Sequence, residues 1–470
     1  MHIEAAILIH FNSYILYILL IVKRGVPMLK RKILSQLIQW KNKPTHKSLI
    51  ITGQRQIGKT FIIEEAFSKE YKNYICLNFI KRPELTKIFD GNLDVQTLIE
   101  SISLYFPGCK FESGNTLLLF DELQECPNAL ASMKFWTEDK RYDVIGMGSA
   151  LGLTFKNDIS YPVGNVEHME MYSLDFEEFL WAQGIDESFI SNLKNYFDNL
   201  TKLPDAILDK MNDYLKRYMV VGGMPEAVAS YVDSGNLSEV HDIQIRLIDD
   251  YKNDIARYAT ADLRLKAKKC FESIPYQLSK DNHKFQYSAV ESKATSRKFE
   301  TSIDWLKNQL IVQEIKSIKR IDYPLEIFAD ETNFRIYPTD IGMLIGMFDV
   351  SLKKSIIEDG DITDSPLSLI LGTAKGGLYE ALAADMLYKR GYHDLFFYKH
   401  EKNTSEIEFI FMRDGEITPI EIKAGKKQAN SLKNILAENK KITLGYKMAS
   451  KNIGSSDNII TMPIFMLMFL

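Results

Sequence analysis

Cysteine is scarce in this chain. Its 470 residues include only four, which are scattered: Cys76, Cys109, Cys126 and Cys270. No two of them form a C-x-x-C pair, so the sequence predicts neither a typical zinc site nor a disulfide framework. Because chains without disulfides suit a reducing compartment, we expect a cytoplasmic location.

A large excess of charge is also lacking. The 58 Lys and Arg residues are offset by 62 Asp and Glu residues, which leaves a formal net charge of −4. A clearly basic balance is the usual electrostatic sign of nucleic-acid binding. The overall composition therefore does not indicate DNA binding, although a local basic face would be compatible with it. The sequence shows no internal repeat, and its length predicts roughly three domains.

One long uncharged stretch lies near the amino terminus. Ala5 to Val22 covers 18 residues and is followed by Lys23 and Arg24. The length is enough to span a bilayer, and the positive residues would keep the rest of the chain in the cytoplasm. A cleaved signal peptide is disfavoured because a basic n-region is missing. We expect translation to begin at Met28, with 1–27 a mis-assigned extension; an inner-membrane anchor is the alternative.

The most informative motif is GQRQIGKT, a complete phosphate-binding loop from Gly53 to Thr60. In such a loop the glycines let backbone N–H groups approach phosphates, and Gly53 and Gly58 hold these positions. Lys59 would reach the β- and γ-phosphates, and the Thr60 hydroxyl would bind Mg²⁺. An apolar strand precedes the loop, and a helical stretch begins at Phe61. Phe61 is the last of the residues that we predict to bind nucleotide.

A second apolar strand, TLLLFDE, ends in two carboxylates. Asp121 would lie beside the Mg²⁺ held by Thr60, and Glu122 would orient or deprotonate an attacking water. A solvated acidic turn is the alternative interpretation of this pair. A third apolar run ends at Ser149, which either contacts the γ-phosphate or the water or belongs to an ordinary turn.

These motifs together resemble a widespread family of bacterial and archaeal AAA-type ATPases with a nuclease-like carboxyl-terminal region. The resemblance covers about 28–470 in order. It rests on GQRQIGKT, LLLFDELQ, GSALGL, VEHMEMYSLDFEEFL, YMVVGGMPEA and DIAR. It implies that Ser149 acts as a sensor of the nucleotide.

One position departs from the family pattern. The family commonly has Gly-Arg before its VEHMEMY-like strand, and that arginine is a candidate finger for the γ-phosphate; here the pair is Gly164-Asn165. Because an arginine finger contributes ~10³-fold or more to turnover, either hydrolysis is slow or another arginine serves. The candidates are Arg217, Arg246 and Arg257.

The middle of the chain is predicted to be helical, with a long, charged helix from Leu237 to Tyr258. We expect an AAA-type domain over 28–180, a helical region over 181–270 and a winged-helix-like domain over 271–350. Arg297 and Lys298 begin the helix that would meet DNA in a winged helix. A scaffold or protein interface is the alternative use of this segment.

The carboxyl-terminal region, 366–470, contains a hairpin centred on Asp414-Gly415. The first strand alternates, with Glu406 and Glu408 on one face and Ile407, Phe409 and Phe411 on the other. The hairpin register places Glu408 opposite Glu421 and Glu406 opposite Lys423 on the facing strand. Facing carboxylates destabilise a sheet unless a cation lies between them. A divalent metal on Glu408 and Glu421 would give a nuclease centre, with Lys423 polarising a water or phosphate and Glu380 completing the site. A solvated face with an ion pair between Glu406 and Lys423 is the alternative interpretation.

This hairpin resembles the PD-(D/E)xK endonuclease fold, with Glu421-Ile422-Lys423 as its E-x-K and Glu408 at a position that is usually Asp. The predicted fold class is therefore α/β: a P-loop domain, then a mostly helical region with a winged helix, then an α/β nuclease-like domain. We expect ATP and Mg²⁺ as ligands, with a second divalent metal in the nuclease alternative. Double-stranded DNA and a second copy of the chain are candidate partners. A metal-dependent nuclease controlled by ATP and a switch that binds ATP without hydrolysis are the alternative functions.

Overall fold

A five-stranded parallel sheet organises the amino-terminal part of the described chain. The computed structural model describes residues 28–148, 162, 164–259, 261–280, 282–358, 368–400, 405–423 and 430–470. The strands are β1 (Ser48–Gly53), β2 (Asn73–Asn78), β3 (Thr116–Asp121), β4 (Asp143–Met147) and β5 (Val166–Met171). Their order is β2-β3-β4-β1-β5, and every neighbouring pair is parallel.

The burial of its strands explains why this sheet is apolar. All six residues of β3 are buried, as expected for a continuous apolar run in a parallel sheet covered on both faces. The helices described in this region are α1 (Lys32–Asn42), α2 (Lys59–Glu65), α3 (Val95–Tyr105) and α4 (Pro127–Asp139). The predicted order of strand, phosphate loop and helix, and the predicted apolar strand before Asp121, are confirmed.

The middle region is helical, as predicted. Its helices are α5 (Phe176–Ala182), α6 (Glu187–Asp198), α7 (Asp205–Val221), α8 (Pro225–Ser234), α9 (Leu237–Tyr258), α10 (Ala261–Leu278), α11 (Tyr287–Val290), α12 (Ser296–Asn308), α13 (Ile341–Gly346) and α14 (Val350–Glu358). Among the described residues, none of the helices is long and apolar enough to cross a bilayer. The stretch from Ala5 to Val22 lies outside the described residues.

The second sheet has eight strands in the described part of the chain, in the order β12-β13-β11-β10-β9-β8-β6-β7. They are β6 (Val312–Ile318), β7 (Ala329–Pro338), β8 (Phe396–Lys399), β9 (Glu406–Arg413), β10 (Glu416–Lys423), β11 (Gly445–Ala449), β12 (Gly454–Ser456) and β13 (Ile459–Pro463). The helices α15 (Ser368–Lys389) and α16 (Asn430–Glu438) belong to this region. Short 3-10 helices elsewhere span Phe67–Glu70, Pro83–Phe89, Leu123–Glu125, Leu325–Phe328 and Ile464–Phe469.

Strands β6 and β7, which we predicted as part of a winged helix, are members of this second sheet. They pair antiparallel with each other, and β6 also pairs in parallel with β8. The winged-helix assignment and the domain bounds remain predictions. What the pairing shows is that the region around 312–338 and the carboxyl-terminal region share one sheet.

The predicted hairpin register is confirmed from Glu416 opposite Arg413 to Ile420 opposite Phe409. Asp414 and Gly415 both have positive φ, at 50° and 83°, as a two-residue hairpin turn requires. The prediction that Ile407 shares a face with Phe409 is wrong. The register between β8 and β9 shifts at an irregularity in the pairing. As a result, the Ile407 side chain packs in one apolar cluster and the Phe409 side chain packs in another.

The three regions meet at a buried ion cluster centred on Lys389 at the end of α15. Its Nζ lies 3.1 Å from Asp340 Oδ2 and 2.8 Å from Asp385 Oδ1, and all three side chains are at most 1% exposed. Lys389 also donates to the carbonyl oxygen of Leu174, just after the first sheet, at 3.2 Å. Tyr218 of α7 donates to Asp385 at 2.8 Å. The cluster therefore joins the first sheet, the helical region and α15.

Candidate functional site

The phosphate loop leaves β1 at a position that only glycine can occupy. A Cβ on Gly53 would lie 2.2 Å from the carbonyl oxygen of Met171 on the neighbouring strand β5. At the other end of the loop, Gly58 has a φ of +88° and precedes α2 directly. Both glycines thus have the conformational role that the motif predicts.

Lys59 is folded back onto its own loop. Its Nζ donates to the carbonyl oxygens of Gly53 at 2.8 Å and Gln54 at 2.5 Å. Burial lowers the pKa of Lys59 to about 8, and the nearby positive charge of Arg55 contributes to the decrease. The ammonium group is therefore held in a low-dielectric position that favours an anionic partner.

The acidic end of β3 lies beside the loop. Asp121 Oδ2 is 3.4 Å from Thr60 Oγ1 and accepts a hydrogen bond from Asn78 Nδ2 at 2.7 Å. Burial raises the pKa of Asp121, and the negative charge of Glu122 adds to the rise. A hydroxyl and a buried carboxylate at hydrogen-bond range form an oxygen donor pair of the kind that Mg²⁺ prefers, so these residues fit the ion.

Glu122 adopts an unusual backbone conformation. Its φ of 56° and ψ of 48° lie in the left-handed region, which a residue other than glycine seldom adopts. Such conformations cluster at functional sites. The carboxylate accepts a hydrogen bond from Gln124 Nε2 at 2.6 Å. Sequence reasoning identified Glu122 as the residue that acts on water but missed Gln124, which holds its side chain.

The variable residues of the loop contact distant parts of the chain. Arg55 Nη1 lies 2.9 Å from Asp254 Oδ1 on α9. Gln54 donates to the carbonyl oxygen of Leu310 at 2.8 Å and to the hydroxyl of Thr339. Sequence reasoning missed these contacts because residues some 200 or more positions apart carry no local pattern that pairs them.

The other predicted nucleotide-site residues are placed as follows. Phe61 lies on α2 directly after Thr60 and is 47% exposed, so an aromatic face is open beside the loop. Ser149 lies outside the described residues.

The position of the missing arginine is remote from the loop. Asn165 immediately precedes β5, whose Val166 pairs with Ser48 at the start of β1, whereas the loop begins at Gly53 at the end of β1. Five residues of strand separate the two levels by about 17 Å. A side chain at 165 therefore cannot reach the phosphate loop of its own chain.

The arginines considered as replacements have other contacts. Arg217 pairs with Asp213 at 3.1 Å and donates to Tyr231 at 3.1 Å, and Arg246 pairs with Glu226. The side chain of Arg257 lies outside what the structure describes.

In the carboxyl-terminal region, the acid predicted on the helix is bound by three donors. Glu380 Oε2 accepts from His283 Nδ1 at 2.8 Å, Arg335 Nη1 at 2.9 Å and Tyr337 Oη at 3.0 Å. Burial opposes ionisation of Glu380, but the charge of Arg335 and the contacts with His283 and Tyr337 together outweigh it and lower the pKa of this carboxyl. Glu380 thus already has protein groups as hydrogen-bond and ion-pair partners.

The hairpin acids are buried near it. Burial raises the pKa of Glu408 to about 8, and the negative charge of Glu380 adds to the rise. Glu421 is fully buried; its Oε1 lies 2.8 Å from Lys423 Nζ, and its Oε2 has no hydrogen-bond partner among the described residues. No group of three acidic, histidine or cysteine side chains in the described chain is arranged to hold a metal. The arrangement of the described residues therefore gives no direct support for a metal centre here.

Comparison with known proteins identifies the first region. Residues 45–180 match a family model described as an AAA domain. The region that carries the five-stranded sheet and the phosphate loop is therefore similar to AAA domains. Two further models match 212–354 and 375–465, and each is described as a domain of unknown function (DUF8612 and DUF4143). No curated protein sequence matches the chain.

Several solved structures are similar to the chain at low identity. C. elegans PCH-2 is 14% identical with a TM-score of 0.24; the match covers 44% of this chain and 63% of that chain, less than two thirds of its length. Cdc6p from Pyrobaculum aerophilum is 12% identical with a TM-score of 0.25 and coverages of 70% and 95%. Drosophila ORC bound to DNA is 12% identical with a TM-score of 0.22 and coverages of 70% and 93%. The functional interpretation of the AAA-type domain therefore depends on its own residues.

The pKa of Lys59 leads to a prediction for ATP affinity. Phosphate binding favours the protonated amine, whose pKa in the free chain is lowered to about 8 by burial. Below pH 8 the affinity should be nearly constant, and above it the Kd should rise by at most about tenfold per pH unit, because a proton must be taken up. Titration of ATP between pH 7 and 9.5 measures this. Lys59→Gln should bind weakly with no such slope; a flat wild-type profile would contradict the prediction.

Proposed function

We propose that the chain binds ATP with Mg²⁺ and hydrolyses it to ADP and phosphate at the carboxyl ends of β1 and β3. One observation supports this more than any other. Lys59, Thr60, Asp121 and Glu122 lie together at that edge of the sheet, where open α/β folds bind ligands. Their chemistry is the cation, hydroxyl, metal-binding carboxylate and base that phosphoryl transfer to water requires.

Each residue then has a defined role. Lys59 neutralises charge on the phosphates, and Thr60 and Asp121 would hold Mg²⁺, which neutralises further charge when it is bound. Glu122 accepts a proton from water, whose oxygen forms a bond to the γ-phosphorus. The bond between the γ-phosphorus and the bridging oxygen breaks, and that oxygen leaves with ADP. Gln124 keeps the Glu122 carboxylate in place through the 2.6 Å hydrogen bond.

We extend the proposal to control of the carboxyl-terminal region by ATP turnover. The support is β7 and the residue that follows it. Thr339 contacts Gln54 of the phosphate loop, while Arg335 and Tyr337 on the same strand bind Glu380. A change in the conformation of the phosphate loop could therefore be transmitted along β7 to the buried carboxylate of Glu380.

The deciding experiment measures phosphate release from Mg-ATP by the full chain, with and without double-stranded DNA. Turnover that requires Mg²⁺ supports the proposal, and stimulation by DNA would make DNA a partner. Tight ATP binding without turnover in either condition would instead support the switch alternative. No binding at all would remove the ATP proposal altogether.

Location and assembly belong to the same proposal. We propose a cytoplasmic protein, with a membrane tether only if Ala5 to Val22 is a genuine anchor. We also propose assembly into a homo-oligomer, in which a second copy of the chain would supply the arginine that position 165 lacks. The elution volume of the full chain with and without ATP tests it.

A second candidate function is a DNA nuclease controlled by ATP. The observation that favours it is Glu421, a fully buried carboxylate with one oxygen that lacks a partner among the described residues. A buried polar group of this kind calls for an explanation. Against it stands Glu380, which is already bound by Arg335, His283 and Tyr337.

The nuclease alternative makes its own prediction. Incubation of the full chain with linear duplex DNA and Mn²⁺ should give cleavage. Glu408→Gln and Lys423→Gln should each abolish it while ATP affinity stays within about twofold, since the two sites are on different sheets. Intact DNA after incubation with the wild-type chain would eliminate this alternative and leave the cluster as a structural network.

A further inference from the structure

The phosphate loop contacts helix α9 through three hydrogen bonds or ion pairs, all made by two neighbouring loop residues, Arg55 and Gln56. Arg55 Nη1 lies 2.9 Å from Asp254 Oδ1. Gln56 Nε2 donates to Asp250 Oδ2 at 2.9 Å, and Tyr251 Oη donates to the backbone carbonyl of Arg55 at 3.2 Å. Helix α9 is the longest element of the middle region, at 22 residues, and lies outside the AAA-type domain that carries the loop.

Arg55 differs chemically from the other variable residues of the loop. Its guanidinium is always charged and has a planar set of donors that matches phosphate. The side chain is partly buried, with 27% exposed, and its charge contributes to the lowered pKa of Lys59. A permanently charged guanidinium therefore lies close to the motif lysine, Lys59. The Asp254 carboxylate is an anion that Arg55 contacts in the structure.

The strength of the two interactions favours exchange. The Arg55–Asp254 pair retains 27% and 21% exposure of its side chains, so water and salt partly screen its attraction. A charge-assisted contact between a guanidinium and a phosphate is stronger and can be bidentate. A triphosphate bound in the loop would therefore compete effectively with a single carboxylate.

We infer that Arg55 is a phosphate-binding residue that exchanges Asp254 for the phosphates of ATP, so that ATP binding loosens the contact between the loop and α9. The inference rests on the proposed function, because it assigns a role within the same nucleotide site. Asp254 is then a positioning residue, which holds Arg55 at the loop until nucleotide arrives. This assignment gives the domain a cation within its own chain, although position 165 carries asparagine.

The test compares ATP and ADP affinities of the wild-type chain, Arg55→Gln, Asp254→Asn and the double variant. Arg55→Gln should weaken ATP binding about tenfold or more, as expected for loss of a charge-assisted contact. Asp254→Asn should strengthen ATP binding about three- to tenfold, because its competing anion is gone. In the Arg55→Gln background, Asp254→Asn should have no further effect. Asp250→Asn, which removes a carboxylate from the same helix that binds only neutral Gln56 in the loop, is the matched control and should stay within about twofold.

A second readout follows the helix itself. Amide hydrogen exchange in 250–258 should increase when ATP is added to the wild-type chain and should not respond in Arg55→Gln. A strengthening by Asp254→Asn that persists without Arg55 would overturn the exchange, as would unchanged ATP affinity in Arg55→Gln. These outcomes leave ATP binding by the wild-type chain intact. Absence of wild-type binding would instead overturn the proposed function together with the exchange.

Discussion

Glu122→Gln is expected to reduce the rate of phosphate release from Mg-ATP by about 10²- to 10⁴-fold, the usual contribution of a general base. The amide keeps the size of the side chain but cannot accept the proton of water. The change leaves Lys59, Thr60 and Asp121 in place, so the Kd for ATP should change by no more than about threefold. Single-turnover phosphate release and a fluorescent ATP titration measure the two quantities.

The matched control is Glu125→Gln, three residues further along the same acidic segment. Glu125 is exposed, whereas Glu122 is partly buried and bonded to Gln124. The control should keep turnover within about twofold, because exposed substitutions outside a site have small effects. Full activity of Glu122→Gln would exclude Glu122 as the base and direct attention to other acids near the phosphate loop.

Lys389→Met is expected to lower the free energy of unfolding by about 3–5 kcal/mol, the typical result of removing one partner from a buried ion pair. The substitution leaves Asp340 and Asp385 buried without their shared cation. It also removes the donor to the carbonyl oxygen of Leu174. Because the cluster joins three regions, we expect the variant to lose the packing between them at a lower urea concentration than the wild-type chain. Urea unfolding monitored by circular dichroism and by intrinsic fluorescence measures this.

Lys194→Met provides a control with the same spacing of the two charges in a different environment. Lys194 and Asp198 form a helical pair four residues apart, as Lys389 and Asp385 do, but their side chains are 52% and 48% exposed. Exposed pairs of this kind contribute about 0.3–0.5 kcal/mol. Similar destabilisation by both variants would show that the buried Lys389 cluster contributes no more to the free energy of unfolding than an exposed ion pair does.

Local patterns in the sequence were enough to predict several parts of the molecule. Gly53 to Thr60, the apolar strand before Asp121 and the helix from Leu237 to Tyr258 lie where their motifs and periodicity indicated. The hairpin register around Asp414 was predictable because its turn residues define which residues face each other. In each case the determining residues are neighbours in sequence.

Features that depend on distant contacts could not be predicted in this way. The parallel pairing of β6 with β8 joins segments that are some 80 residues apart and carry no shared motif. The irregularity that turns Ile407 away from Phe409 depends on the partner strand. Arg55 was overlooked because a variable position of a motif shows its role only once Asp254 is placed beside it.

Strand β7 and the residue that follows it connect the phosphate loop to the buried Glu380. Thr339 touches the phosphate loop, and Arg335, four residues earlier and about 13 Å away along an extended chain, binds Glu380. A hydrogen-bonded strand can slide or tilt but cannot stretch appreciably. An axial displacement of the strand at Thr339 would therefore also move Arg335, and movement away from Glu380 would lengthen the 2.9 Å hydrogen bond between them.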